Sequence, residues 1–529
     1  MFDFADRKTY INQIDSLALN QINQFDSATQ HIWENMYENH IKDITNLCKK
    51  KKKINKIKGT RYIDYAKIIR DNQIIVPQWY LLTSGTDMQK IIPYYGNSMD
   101  ILGIGLIDTH SIRGKTMMVY HTSEMMQRNG MHVSDAITCN IAKIFSNPYG
   151  LMYIRLFSSS PEWCFFIKDH YTSYYQHLLY GLLEENLFRI MVISARHLLL
   201  LIEIILDRKI DLVREIMQIN KKRGQYLCDL LCDPKKDPIN LSKKDKSIPL
   251  FTKLWPRLNS IIMMESNLYS SQLKPYIGEI ETYCPVYAVT EATLGYDRWN
   301  TGTYSMDPRN GFFEFVKIDH NVLQELRSLD QRTNADKLKN ITVSNIRKLD
   351  IGSLYQIIVT NQYTGLTRYL TDEIVKIVGY TQGSPEFEIQ GKEYELICCG
   401  TKIIVPRQIE DVLTKYFDLL DYCYSQDQDS DQSFIIYIEL KKDNYLSDTK
   451  RTYDVKEKVK KPQTAKINSL ILNQLGLDAN VKIVKPGTIG MLYQNRYSDY
   501  IDPGCVHIPR NIRNLDDIDI LTNNVLFVF

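Results

Sequence analysis

An α/β fold is predicted: a large N-terminal unit of mixed sheets and helices, followed by a smaller α+β unit. Three observations predict it. Strand-like and helix-like apolar patterns alternate between residues 74 and 300. The 529 residues are too many for one core. Gln382-Gly383-Ser384-Pro385 then breaks the pattern, which divides the chain into 1–388 and 389–529.

In chain order, residues 1–75 read mainly as helices, with Ile11, Ile14 and Leu17, then Ile32 and Met36, near helical spacing. The run Lys49 to Lys53 reads as a solvated face or loop. Residues 74–77 open a strand. Trp79 to Pro93 carries Thr83-Ser84-Gly85-Thr86 and Lys90, hydroxyls and a glycine after an apolar stretch. Such a turn can aim backbone N–H groups at phosphate, and it also suits a plain Ser-Gly turn. Segments 101–107, 117–120, 161–167, 188–193 and 261–264 are strand-like. Segments 175–182, 194–205 and 271–279 are helical, with 194–205 buried. His177 and His197 read as core or surface residues rather than ligands.

Tyr287-Ala288-Val289-Thr290-Glu291 is the stretch on which the chemistry centres. It offers a flat ring, a hydroxyl and a hard oxygen ligand suited to Mg²⁺. The same pattern also suits a strand end with a helix cap. Strands follow at 312–318, 354–360 and 374–380, the last preceded by Gly365-Leu366-Thr367-Arg368-Tyr369 and Asp372-Glu373. Arg368 and the carboxylate five residues on, Glu373, suit phosphate and ribose hydroxyls respectively, or a surface ion pair on a hairpin. In the last unit, 406–417 and 466–475 read as helices, 434–440 and 481–484 as strands, 425–433 and 503–510 as loops, and 485–488 as a turn.

Composition excludes several classes. Hydrophobic residues are 44% and charged residues 24%, so the chain is globular rather than disordered. A net charge of +3 gives no general attraction for nucleic acid. Ten cysteines over this length are reduced thiols rather than a disulfide framework, and none has histidine at metal-ligand spacing. The start of the chain carries charges where a signal peptide needs an apolar core, and the longest apolar run, near 198–206, is broken by Glu203. A cytoplasmic protein without a membrane span is expected.

Together these stretches resemble the plant auxin-responsive acyl-acid amido synthetases, the Gretchen Hagen family, a branch of the adenylate-forming enzymes. The resemblance runs from about residue 75 to the C-terminus, through Thr83-Ser84-Gly85-Thr86, 175–182, Leu254-Trp255-Pro256, 287–291, 365–369, 434–440, 486–488 and Pro509-Arg510. It implies ATP and Mg²⁺ as cofactors, and a carboxylic acid and an amine, usually an amino acid, as substrates. It further implies that Thr83, Ser84, Gly85, Thr86 and Lys90 contact phosphates, and that Tyr287 lies on adenine with Thr290 near the α-phosphate. Glu291 would bind Mg²⁺, Arg368 would lie near ribose and phosphates, and Glu373 would accept ribose hydroxyls. Lys402 and His507 would join the catalytic set, and residues 389–529 would form a mobile cap.

Three positions depart from the family pattern. The phosphate loop is about two residues shorter, Asp372-Glu373 replaces Gly-Asp, and His507 replaces a late lysine. An ordinary histidine is mostly neutral at pH 7 and supplies less charge than lysine. The alternative reading is therefore a catalytically degenerate relative that binds a nucleotide or a protein partner.

Overall fold

The computed structural model describes residues 79–82, 90–94, 114–123, 125–128, 131–232, 248–264, 267–297, 301–306, 311–328, 342–346, 348–361, 364–381, 383–399, 402–417, 419–426, 433–440, 469, 471, 473–476, 478–496 and 510–528. The expectations for 1–75, the lysine run and 101–107 lie outside these residues.

The architecture is α/β, as predicted. A parallel sheet runs Lys115–Met118, Leu187–Ser194, Ser260–Met264, Glu281–Tyr283 in space. Parallel neighbours require crossovers, and helices supply them: Ala136–Ser146, Pro148–Phe157 and His170–Leu183 in the first connection, Asn267–Ile277 in the last. The expected buried helix is Ala195–Asp207, with Leu198, Leu201, Ile202 and Ile205 inward at helical spacing. Trp255 lies at the centre of this core, its indole N–H donating to the Gly181 carbonyl at 2.8 Å. A Cβ on Gly181 would lie 2.2 Å from Met117 Sδ, so the buried methionine side chain would have to move to admit one.

Residues 161–167 are not a strand. Glu162–Phe166 forms a 3₁₀ turn, closed by Cys164 N–H on the Pro161 carbonyl at 3.1 Å. Cys164 and Phe165 are buried while Trp163 and Phe166 are exposed, a pattern without the strand's period of two.

His177 is fully buried in the same core. Its Nε2–H donates to the Tyr120 carbonyl at 2.9 Å, and its Nδ1 accepts from the Ser160 hydroxyl at 2.8 Å. Burial, opposed by the Tyr120 hydrogen bond, lowers its pKa to about 3. The stability from holding it neutral is complete above the unfolded value of about 6.5 and is lost as pH falls towards the folded one. Unfolding free energies from urea titrations at pH 7 down to 4 should therefore fall by an amount on the order of a few kcal/mol, and His177→Gln should flatten that slope.

An antiparallel eight-stranded sheet follows, in the order Val343–Asn345, Phe312–Lys317, Leu354–Asn361, Leu366–Thr381, Ser384–Lys392, Tyr304–Met306, Thr293–Tyr296, Val286–Ala288. Phe313, Phe315, Tyr355, Ile357 and Val359 face one core with Tyr287 and Tyr369. Val316, Ile358, Leu370 and Ile374 face another on the opposite side, against Leu323 and Leu326. A four-stranded sheet, Ile91–Tyr94, Trp79–Leu82, Met131–Asp135, Met126–Arg128, lies at the N-terminal side.

Residues beyond 396 build a further core around the sheet Leu419–Gln426, Ser433–Leu440, Asp478–Val484, Val525–Val528 and the helix Pro406–Tyr416. The expected turn is present, with Thr488 N–H on the Lys485 carbonyl at 3.2 Å and Gly487 at φ 86°. Asp421 joins this core to the rest. Its Oδ1 accepts from Arg510 Nη1 at 2.5 Å and its Oδ2 from the Tyr269 hydroxyl at 3.3 Å, on the helix Asn267–Ile277. Gln272 on that helix donates to the Leu420 carbonyl at 2.9 Å. No helix among the described residues is long and apolar enough to cross a membrane.

Candidate functional site

The central stretch is a tight β-hairpin, not a strand end with a helix cap. Val289 and Ala292 exchange backbone hydrogen bonds at 2.9 and 3.2 Å, leaving Thr290 and Glu291 at the tip. The tip is held down by another turn of the same sheet. The Glu291 carbonyl accepts from Asn361 Nδ2 at 2.9 Å and from the Thr364 hydroxyl at 3.3 Å. Asn361 and Thr364 thereby hold the main chain from which the Glu291 side chain extends.

The strand Leu366–Thr381 supplies the opposite wall through two bulges. Leu366 faces Asn361 and Tyr369 faces Val359, so Thr367 and Arg368 share one partner position. Leu370 faces Ile358 and Ile374 faces Gln356, so residues 371–373 stand against Ile357 alone. Bulges re-aim side chains beside functional sites. The first puts Arg368 at φ 47° with its N–H on the Thr360 hydroxyl at 2.8 Å. The second brings Asp372 and Glu373 together. A third lies in the neighbouring strand, where Glu373 faces Lys392 and Ile374 faces Gly391, but Val375 faces Ile389. Gly391 sits there at φ 117°, a conformation L side chains rarely adopt, and Lys392 is turned towards Glu373.

The result is a cluster of alternating charges. Lys90 Nζ lies 2.8 Å from Asp372 Oδ2 and 3.4 Å from the Tyr369 hydroxyl. Lys392 Nζ lies 3.7 Å from Glu373 Oε1, and the Tyr287 hydroxyl donates to Glu373 Oε2. Burial raises the pKa of Glu291, the Lys90 ammonium opposing it and Asp372 adding to it. Burial likewise raises Glu373, against the pull of Lys392 and the Tyr287 hydrogen bond. For Lys392, burial acts downward, yet Glu373, Asp372, Glu395 and Glu291 together hold its pKa above the ordinary lysine value. The group therefore titrates as one network.

Lys90, Tyr287, Glu291 and Glu373 are brought together, and Thr290 is half-buried at the hairpin tip. Tyr287 is 7% exposed and packs against Tyr304, so its hydroxyl rather than its ring face serves the cluster. Arg368 is on the other side of the sheet. Its guanidinium makes a two-pronged pair with Glu314 at 2.7 and 2.8 Å, and Glu314 alternates with Phe313 and Phe315 to face with Val316. Lys402, exposed, donates to the Leu475 carbonyl at 2.7 Å and stands apart from the cluster. Thr83, Ser84, Gly85, Thr86 and His507 lie outside the described residues. Lys392, Tyr369 and the side chain of Asp372 were not among the expected site residues. The one sequence signal for Lys392 is the glycine before it, a residue that permits a bulge inside a strand.

The donor set fits a hard cation held chiefly by a ligand. Glu291 and Asp372 offer carboxylate oxygens within each other's field. No group of three or more His, Cys, Asp or Glu among the described residues is placed to hold an ion by itself. Mg²⁺ is commonly bound by one or two carboxylates plus substrate phosphates.

Comparison with known proteins supplies the context. Family models described as the GH3 family N-terminal domain and the GH3 family central domain match residues 66–287 and 304–392. A jasmonoyl–L-amino acid synthetase of Oryza sativa subsp. japonica, GH3.5, is 24% identical over 302 residues, 52% of this chain and 50% of its own. An indole-3-acetic acid-amido synthetase of Arabidopsis thaliana, GH3.15, is 22% identical over 457 residues, 79% of this chain and 74% of its own. The chain spans about half the length of the first curated relatives it matches. A solved GH3.15 acyl acid amido synthetase superposes with a TM-score of 0.63 at 18% identity, over 89% of this chain and 87% of that one. That likeness concerns the fold.

Proposed function

Because the chain belongs to the GH3 family, we propose that it is an ATP-dependent acyl-acid amido synthetase. It adenylates a carboxylic acid and passes the acyl group to an amine, in this reading an amino acid. The observation that carries the proposal is the meeting of Lys90, Glu291, Glu373 and Lys392 around one clamped hairpin tip. Two ammonium groups, ribose-type acceptors and a buried hard ligand are what an adenylate site requires.

A carboxylate is a poor acyl donor, because oxide is a poor leaving group. In the first step a carboxylate oxygen attacks the α-phosphorus, and the bond to pyrophosphate breaks. In the second the amine nitrogen attacks the acyl carbon, AMP departs with the bonding pair, and the nitrogen loses its proton. Mg²⁺ would be held by Glu291 and would lower the charge on the phosphates. Lys90 and Lys392 offset charge that grows on oxygen during the first step. Glu373 accepts hydroxyl hydrogen bonds of the ribose, and Tyr287 fixes its carboxylate. The residues of the shortened phosphate loop, 83–86, complete this site, with His507 and Lys402 contributed by the 389–529 cap as it moves over the 1–388 body. A cytoplasmic, reducing setting fits the free thiols among the described cysteines.

The alternative, a protein that binds nucleotide without catalysis, is favoured by the carboxylate of Asp372 already seated on Lys90. Pyrophosphate–ATP exchange over a panel of carboxylic acids separates the two. Acid-dependent exchange is expected. ATP binding with no exchange for any acid would overturn the synthetase and keep the nucleotide site.

A further inference from the structure

In sequence Lys90 directly follows residues 83–89, which hold the expected phosphate loop, and it precedes the strand Ile91–Tyr94. Its side chain is 15% exposed, and its ammonium is 2.8 Å from Asp372 Oδ2. Asp372, at 38% exposed, is far more open than Glu373 at 6%. The two acids are neighbours in sequence and differ in role. Glu373 is inside, tied to Tyr287 and Lys392. Asp372 sits at the rim, delivered onto Lys90 by the bulge at 371–373. The charge count of the cluster points the same way. Among the described residues four carboxylates, Glu291, Asp372, Glu373 and Glu395, bear on two ammonium groups, Lys90 and Lys392. A polyphosphate entering this field meets no positive surplus among the described residues, and Asp372 is the carboxylate at the rim.

We propose that Asp372 is an internal anion that competes with the phosphates of the nucleotide for Lys90, and so sets how tightly the site binds them. This rests on the nucleotide-site reading above. Phosphate oxygens engage Lys90 only after Asp372 swings outward, and rim exposure makes that movement inexpensive. A half-exposed ion pair is weak but not negligible, so its loss is worth a modest factor in affinity. Removing the negative charge beside the phosphates adds to that factor.

The test is calorimetric titration of the full-length chain with ATP in excess Mg²⁺, and separately with inorganic pyrophosphate. Asp372→Asn is expected to bind both about three- to tenfold more tightly than the wild type. Lys90→Met is expected to bind more weakly. Adding Asp372→Asn to Lys90→Met should recover much less than it gains alone, because its main effect runs through the ammonium. Asp372→Ser serves as a second variant, and thermal melts confirm folding of each. Equal or weaker binding by both Asp372 variants overturns the inference and leaves the nucleotide site standing. An equal gain with and without Lys90 also overturns it, reducing Asp372 to general repulsion. Absence of ATP binding by the wild type and every variant overturns the site and the inference together.

Discussion

Arg368→Ala should cost the fold about 3–5 kcal/mol, the usual result of stripping one partner from a buried ion pair. Arg368 and Glu314 are 4% and 5% exposed and share two hydrogen bonds on the sheet face away from the charged cluster. Burial already raises the Glu314 pKa, and the Arg368 charge and hydrogen bonds hold it down in part. Without Arg368 the carboxyl is left among Val316, Ile358 and Leu370 and takes up a proton at higher pH. Urea denaturation at neutral pH measures the loss. Arg368→Met combined with Glu314→Leu should recover most of it, since an apolar pair needs no solvation. A loss under about 1 kcal/mol for the alanine variant would mean that the pair is hydrated.

Glu291→Gln should lower acid-dependent pyrophosphate exchange by about 10²–10³ and raise the melting temperature at neutral pH. The two effects share a cause. Burial, opposed by the Lys90 charge, raises the Glu291 pKa, so ionising it works against the fold. A raised carboxyl contributes its stability below the ordinary carboxylate range and loses it as pH rises through the raised value. The glutamine variant has no such loss. Its thermal advantage should be present at pH 7 to 8 and vanish near pH 4. Functional sites commonly hold such conflicts between activity and stability. A melting temperature lowered at both pH values would show that Glu291 is held by contacts that favour its charge.

Much of this was legible in the sequence, for identifiable reasons. The helix Ala195–Asp207 announced itself through its apolar spacing, and Tyr287 to Glu291 through an aromatic strand ending in a polar tip. The clamp on that tip was not legible, because Asn361 and Thr364 lie some seventy residues away and look like ordinary turn residues. Arg368 and Lys392 exchanged expected importance for one reason. Strict alternation assigns a face to each strand residue, and each bulge that inserts a single residue shifts the count by one. Four register shifts separate Leu366 from Lys392 along the paired strands. Gly391 alone left a trace in the sequence. The 3₁₀ turn at Glu162–Phe166 misled for a related reason, since its apolar run has a strand's composition without a strand's alternation.

The Asp421 contacts have an unequal character. Arg510 is bound to the strand Leu419–Gln426 by its own main chain, with Tyr424 N–H on the Arg510 carbonyl and Ile512 N–H on the Tyr424 carbonyl, both at 2.7 Å. It must travel wherever that strand travels. Tyr269 and Gln272 belong to a helix of the other core and do not. The joint thus resembles a door with one riveted plate and one spring catch. Were the two cores to separate, a phenol and an amide would be released while the guanidinium stayed engaged, so no bare buried charge would be exposed.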